Sequence, residues 1–403
     1  MLRHLGRQPG GTGTYTDKML ESILTADGVN EYVLLYDTRE RLGSYAQFPN
    51  VTEVAVRCPS KLLWDQIVVP WLARRHDLDV IFNLKMSIPL LAPCPTMYVT
   101  HGADWFVMPE QYPFLDQLYV RLFARLYWRR AARIVSVSAD ATRRLAALMD
   151  ANDAAKLITI HHGVEARFSE PRDLQAVRGL RERYGLTAPF VLYLGQIYPM
   201  KNVGRLIRAF AQLRERVPHE LVVVGKPSPR CAAELALIGE LGLRDRVRCL
   251  GWVPNDDVPL FYQAADLLAF PSLYEGFGIP IIEAMAAGCP VVTSTAGACP
   301  EVAGDAAVLV DPLDVNAIAT AIYRGLTDSQ LRDTLRERGH ARANKFSWEV
   351  AARKTIAALE TLAGSSASQF RSRQRRARRA VTLACAKPAE TGAPAPTSGV
   401  HHE

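Results

Sequence analysis

The sequence predicts an α/β protein with parallel sheets, divided into two domains. Two observations carry this. Short apolar runs alternate with stretches of helical periodicity, the pattern of strands buried between helices. A polar stretch at 165–188, interrupted by Pro171 and Gly185, splits that alternation into two series and suits a crossing between domains. With 403 residues the chain is long enough for two such cores.

In the first series, Tyr32–Tyr36, Glu53–Val56, Val80–Phe82, Met97–Thr100, Ile134–Ser138 and Leu157–Ile160 read as strands. Helices are expected over 62–73, 118–133 and 140–148. A glycine-rich turn, Gln8-Pro-Gly10-Gly11-Thr-Gly13-Thr-Tyr15, precedes a helical pattern through Leu24. Such a turn suits phosphate or a close backbone approach, and a plain loop fits it as well. The second series has strands at Phe190–Leu194, Leu221–Val224, Val247–Leu250, Leu267–Phe270 and Ala307–Val310. Its helices follow at 203–213, 257–264, from about 279, and over 314–325 and 328–343. A final helix is expected from Phe346 to about Leu362, and the Arg-rich run 371–379 with its Pro/Ala/Thr/Gly-rich sequel reads as disordered.

Composition bounds the function. Hydrophobic residues make up 49% and charged residues 22%, which is ordinary for a globular protein. The net charge of +7 favours anionic partners without choosing among nucleotide, membrane and nucleic acid. No aromatic stacking module supports nucleic acid. The 7 cysteines are scattered, with no CxxC pair or Cys/His cluster, so neither a zinc site nor a disulfide framework is indicated and a reducing cytoplasm fits. No apolar run reaches about 18 residues, so any membrane contact is expected to be peripheral.

The chemistry concentrates in Phe270-Pro-Ser-Leu-Tyr-Glu275-Gly-Phe277-Gly-Ile-Pro280-Ile-Ile-Glu283-Ala-Met-Ala-Ala-Gly-Cys-Pro290. A buried strand leads into a glycine turn and then into a helix with Pro280 in its first turn. That geometry aims free backbone N–H groups at a phosphate. Gly276 and Gly278 let the backbone approach a ligand. Glu275 at the mouth of the turn and Glu283 one helical turn in would repel phosphate, so each is assigned to a hydroxyl donor such as a sugar or ribose.

This phrase resembles the Glu-x7-Glu signature of retaining glycosyltransferases of the GT-B architecture, family 4. The likeness runs from Gly10 to about Leu362. It implies two Rossmann-like domains facing a central cleft, with a C-terminal helix crossing back onto the first. The implied layout is an acceptor domain at 1–164, a linker at 165–188, a donor domain at 189–345, a crossing helix at 346–363 and a basic tail at 364–403. It implies that Glu275 contacts the donor hexose and Glu283 the ribose, with Gly276, Phe277 and Gly278 lining the donor. His101 would approach the donor sugar, and Asp104 would lie on the acceptor side. Gly11 and Gly13 would face the donor across the cleft. The segment Thr295-Ala-Gly-Ala-Cys-Pro-Glu301 is similar to the family's Pro-Glu loop near the donor. Lys201 matches the diphosphate lysine, whereas Gln196 or Met200 stands where an arginine is common, and Lys226 would compensate.

The likeness implies a nucleoside-diphosphate sugar donor, with GDP-mannose the specific expectation and UDP the other base. It implies a glycan or lipid-linked acceptor in polysaccharide synthesis. No metal or other cofactor is expected, because the phosphates are assigned to backbone N–H groups and lysine. A nucleotide-sugar epimerase of the same fold and a non-catalytic scaffold are the other readings. The family's first strand should precede Gly11, and Leu2-Arg-His-Leu5 is a poor one. Either a hydrophobic strand is encoded ahead of Met1, or a central strand is missing and protein starting at Met1 folds poorly. Arg121, Arg125, Arg129 and Arg133 recur at every fourth position beside Leu118, Leu122 and Leu126. They read either as a solvated helix packed on the sheet or, with the 371–379 run, as a patch for anionic lipid.

Overall fold

The computed structural model describes residues 11–58 and 60–364. In the first α/β unit, helix α1 (Gly11–Ala26) leads to β1 (Tyr32–Tyr36) and β2 (Val51–Ala55). A continuous helical stretch, α2, runs through Lys61–Leu63, Trp64–Val68 and Val69–Arg75. Its middle is wound as a wide turn, because Pro70 has no N–H to give the carbonyl four residues back. Then come β3 (Ile81–Asn83), β4 (Thr96–Thr100), α3 (Phe114–Arg130), β5 (Arg133–Ser136), α4 (Ala139–Ala146) and β6 (Leu157–Thr159).

The ladders of this unit form two pieces, β1-β2 and β3-β4-β5-β6, both parallel. Among the described residues no ladder joins β1 to β3. The two pieces still share their covering layers. Tyr15, Met19 and Ile23 of α1 pack in one cluster with Leu34 and Tyr36 of β1 and with Met97 and Val99 of β4. On the other face Leu35 and Ile81 share a cluster with Trp64, Val69 and Leu72 of α2. The central strand expected ahead of the glycine turn falls on positions outside the described residues.

Two local expectations change. The helix α1 already starts at Gly11, so Gly11 and Gly13 belong to its first turn rather than to a loop before it. The basic helix starts earlier and stops sooner than its periodicity suggests. Pro113 precedes its first residue, and Ala131 takes an extended conformation that ends it. Arg133 is therefore in β5 and does not continue the arginine row. The outer leucines Leu118, Leu122 and Leu126 face solvent, while Val120, Ala124, Tyr127 and Trp128 face the core.

The second unit is one parallel sheet in the order β12-β11-β10-β7-β8-β9. Its strands are β7 (Phe190–Leu194), β8 (Glu220–Val224), β9 (Val247–Gly251), β10 (Leu267–Phe270), β11 (Val291–Ser294) and β12 (Val308–Val310). The inner strands β7, β8, β10 and β11 are buried almost throughout, as helices on either side require, whereas the edge strands β9 and β12 expose Cys249 and Leu309. The helices that matter here are α5 (Val203–Ala211), α6 (Ile279–Ala286) and α7 (Cys299–Ala303). The chain builds outward from β7 to β9 and then returns to place β10 beside β7. Ligands bind at the carboxyl ends of strands where the order reverses. The loops at that point are 195–202 and 271–278.

The last described helix, α8 (348–364), lies against α1. Thr355 Oγ1 is 3.8 Å from Met19 Sδ, and Asn30 Nδ2 donates to Glu360 Oε1 at 3.0 Å.

Asn202 locks the two switch-point loops together. It sits in the left-handed region (φ 62°), and its buried Nδ2 donates to Pro271 O at 2.9 Å and Pro312 O at 2.7 Å. Asn202→Ala leaves both carbonyls unpaired. We expect it to lower unfolding stability by roughly 1–3 kcal/mol in denaturant titrations; an unchanged midpoint would contradict this assignment.

Candidate active site

The two strand-end loops bring Lys201 and Glu275 together. Lys201 Nζ lies 2.7 Å from Oε1 and 2.8 Å from Oε2 of Glu275. Glu275 is only 8% exposed, so the ammonium compensates a carboxylate that has little access to water. Backbone wraps the acid closely. A Cβ on Gly276 would fall 1.7 Å from His101 O, and one on Gly297 would fall 2.7 Å from Glu275 O. Only glycine fits at both places. Gly278 holds φ 102° at the cap of α6, another conformation that glycine adopts freely. Phe277 points the other way, into a cluster of rings.

That cluster joins the two units. His101 follows β4, and its Nε2 lies 2.8 Å from Leu84 O, which fixes the proton on that nitrogen. Its ring meets Tyr15 edge-on at 4.8 Å, and His162 lies 4.6 Å from Tyr15 and 4.5 Å from Phe277. Burial lowers His101 to about 4, so it is neutral near pH 7. Tyr15 Oη and both ring nitrogens of His162 are buried with no hydrogen-bond partner. Asp104 accepts from Tyr112 Oη, and burial raises its carboxyl. Gln196 and Lys226 are exposed on neighbouring loops, tied through Ile197 N–H to Lys226 O at 3.1 Å.

Glu283 takes one hydrogen bond, from Tyr262 Oη at 3.0 Å. It keeps part of its surface open but sits deep among protein atoms, and that desolvation pushes its carboxyl up to about 7.

Three contacts escaped the sequence reading. Tyr274 Oη accepts from Ala103 N–H at 2.9 Å, fastening the glycine turn to the first unit. Glu301, at the start of α7, accepts from the N–H groups of Ala139 and Asp140 at 2.8 and 2.9 Å, capping α4 in the other unit. His161 Nε2 reaches the same carboxylate at 2.7 Å. Burial raises the Glu301 carboxyl, but His161 and the two backbone donors outweigh it and leave the group below its ordinary value. Beside this bridge a cavity of about 400 Å³ opens between the units, lined by Asp140, Arg143, Arg144, Thr295 and Glu301. Among the described residues no group of three or more His, Cys, Asp or Glu is placed to hold a metal ion.

Parallel α/β units closed on one cleft, with glycine turns at the switch point, define the GT-B class of glycosyltransferase. The fold aligns with the crystal structure of Anabaena HepE in complex with UDP and glucose at a TM-score of 0.71, covering 89% of this chain and 98% of that one at 21% identity. The family described as Glycosyl transferases group 1 matches residues 181–342. Over 266 residues the chain is 33% identical to an O-antigen chain mannosyltransferase B of Escherichia coli, covering 65% of this chain and 69% of that one. The chain belongs to the group 1 glycosyltransferases and is a glycosyltransferase. It is also 30% identical over 296 residues to a serotype-specific mannosyltransferase WbdA of Escherichia coli, of which it spans only 36%. An MMP alpha-(1->4)-mannosyltransferase of Mycolicibacterium hassiacum is 28% identical, with 71% of each chain covered.

A carboxyl raised from 4.5 to about 7 holds a proton in the folded state that the unfolded chain has released. Stability from this group is therefore lost as pH rises between those values. Glu283→Gln should raise Tm near pH 8 by more than near pH 5. Equal shifts at both pH values would show that Glu283 is well solvated.

Proposed function

We propose that this glycosyltransferase moves a hexose from a nucleoside-diphosphate sugar to an acceptor hydroxyl, with retention at the anomeric carbon. The observation that carries the reading is the Lys201–Glu275 pair held at the switch point, where the glycine turn opens α6. The donor diphosphate would lie against the free N–H groups of that turn and exchange for Glu275 as the partner of Lys201. Glu275, released from the ammonium, would accept from hydroxyls of the hexose. Glu283 would accept from the ribose, replacing the solvent that now reaches its open edge. The first turn of α1, with Gly11 and Gly13, would face the same site from the opposite unit.

In the transfer step the bond from the anomeric carbon to the β-phosphate oxygen breaks as the acceptor oxygen attacks from the same face. The acceptor's proton goes to the departing phosphate, and the products are a nucleoside diphosphate and the new glycoside. Negative charge grows on the diphosphate, and preorganised backbone dipoles and Lys201 stabilise it there. Neutral His101 would serve the sugar as a hydrogen-bonding ring rather than as a cation. The cavity beside Glu301 offers room for a hydroxyl-bearing acceptor.

The relatives named as mannosyltransferases support mannose as the hexose and GDP as its carrier, in the building of a glycan or lipid-linked polysaccharide precursor. HepE, in complex with UDP and glucose, keeps UDP as the competing carrier. A panel of sugar nucleotides assayed with and without acceptor tests this. The expected result is acceptor-dependent release of nucleoside diphosphate. Conversion of the sugar without acceptor would favour an epimerase, and stabilisation by no nucleotide a scaffold.

Glu275→Gln should lower kcat by about 10²–10³, the scale for losing one preorganised electrostatic contact. Its nucleotide affinity should hold. Glu283→Ala should weaken nucleotide binding by roughly 1–3 kcal/mol. Normal turnover and affinity in both variants would refute the site.

A further inference from the structure

The outward side of α3 carries a row of leucines that the core does not use. Leu118, Leu122 and Leu126 stand at four-residue spacing, which places them along one side of the helix. Phe114 and Leu115 extend the row at the N-terminal end and are 73% and 75% exposed. The opposite side already supplies the apolar contacts that hold α3 to the sheet.

The neighbouring helix α2 repeats the pattern. Leu63, Ile67 and Trp71 follow one another at the same spacing, with Leu62 beside them, and all four are exposed. The helices are joined edge to edge. Lys61 Nζ lies 5.2 Å over the Tyr119 ring. Gln66 of α2 donates to Ile88 O and accepts from Leu90 N–H, while Arg130 of α3 donates to Leu90 O and Ala92 O. That shared loop displays Leu91, 76% exposed. Two exposed apolar rows and a loop tip are thus linked to one another, in contrast to the scattered single apolar residues of an ordinary surface.

The charge of this face chooses the occupant. The two helices carry seven exposed cations, Lys61, Arg74, Arg75, Arg121, Arg125, Arg129 and Arg130, against one exposed carboxylate, Asp116. Asp65 is buried. A second copy docked on this face would set cations against cations, because a two-fold contact pairs the same patch with itself. An anionic bilayer satisfies both features, taking the leucines at the acyl boundary and the guanidinium groups at the phosphates. Trp71, with Arg75 5.6 Å over its ring, has the amphipathic character of residues at that depth. No described helix is long and apolar enough to cross a membrane, so the contact is one of surface immersion.

We propose that α2 and α3 together form a platform that lies in the interface of an anionic lipid bilayer, anchored by its leucine and tryptophan rows and oriented by its cations. The donor cleft would then be held at a fixed height above the headgroups. This inference is independent of which sugar is transferred.

The test is co-sedimentation of the full chain with vesicles of phosphatidylcholine and phosphatidylglycerol, and with phosphatidylcholine alone. Binding is expected on the mixed vesicles and about tenfold weaker on the neutral ones. The double variant Leu118→Ser/Leu122→Ser should lose about tenfold on the mixed vesicles. Circular dichroism should stay unchanged, because these side chains face solvent. Tryptophan emission should shift to the blue on binding, and Trp71→Phe should lose that shift. The comparison keeps the 371–379 run constant, so a purely electrostatic tether would leave the leucine variant bound as well as the parent, and that result would overturn the proposal. So would self-association in sedimentation velocity that the same leucine substitutions abolish.

Discussion

The architecture turns on one ion pair. Lys201 and Glu275 come from loops 74 residues apart in the chain, on adjacent strands of a sheet whose order reverses between them. Removing either partner would leave a poorly solvated charge uncompensated, a cost of about 3–5 kcal/mol for a fully buried pair and less here because both side chains retain some exposure. The surrounding geometry exists to keep this pair in register. Asn202 ties the lysine loop to the carbonyls at Pro271 and Pro312, and Gly276 and Gly297 let backbone close over the acid. Lys201 thus supplies the positive charge that the buried Glu275 carboxylate needs at the head of the glycine turn.

Closure of the two units rests on different chemistry. The Glu301 carboxylate spends both oxygens on the amino end of α4, and Tyr274 fastens the glycine turn to Ala103. These contacts are polar and small, the kind that open and re-form with domain motion, whereas the ring cluster of Tyr15, His101, His162, Phe277 and Trp348 is packed at ring distances of 4.5 to 5.7 Å on its principal contacts. The unpaired Tyr15 hydroxyl and His162 nitrogens lie inside that cluster. The helix α8 crosses from the second unit and supplies Trp348 to it, so the C-terminal crossing and the cleft are one packing problem.

Much of this could be read from residue patterns, for definable reasons. The central strands of the second unit are apolar runs because helices cover both faces, and five of its six strands were visible as such; β11, two valines followed by Thr293 and Ser294, was not read as a strand. The glycine turn between Glu275 and Glu283 was legible because its residue types are dictated by backbone space. Partners separated by many residues were not legible. Nothing in the sequence pairs Glu301 with the amides of α4, or Tyr274 with Ala103, because such contacts depend on how two units meet. The helix α3 was recognised, but its end was misplaced: arginines at four-residue spacing continue smoothly into Arg133, and only the extended conformation at Ala131 stops them. Its leucines read equally as packed on the sheet or as turned outward, since apolar spacing alone does not say which of two apolar sides faces the sheet; the structure turns them to solvent.

The central claim is that Lys201 leaves Glu275 for the donor's diphosphate while Glu283 holds the nucleoside. Isothermal titration of the nucleoside and its diphosphate into the parent protein and Lys201→Met separates these roles. The account predicts that the variant loses the extra affinity the diphosphate confers and keeps its affinity for the nucleoside. An equal loss for both ligands, or none for either, would contradict it.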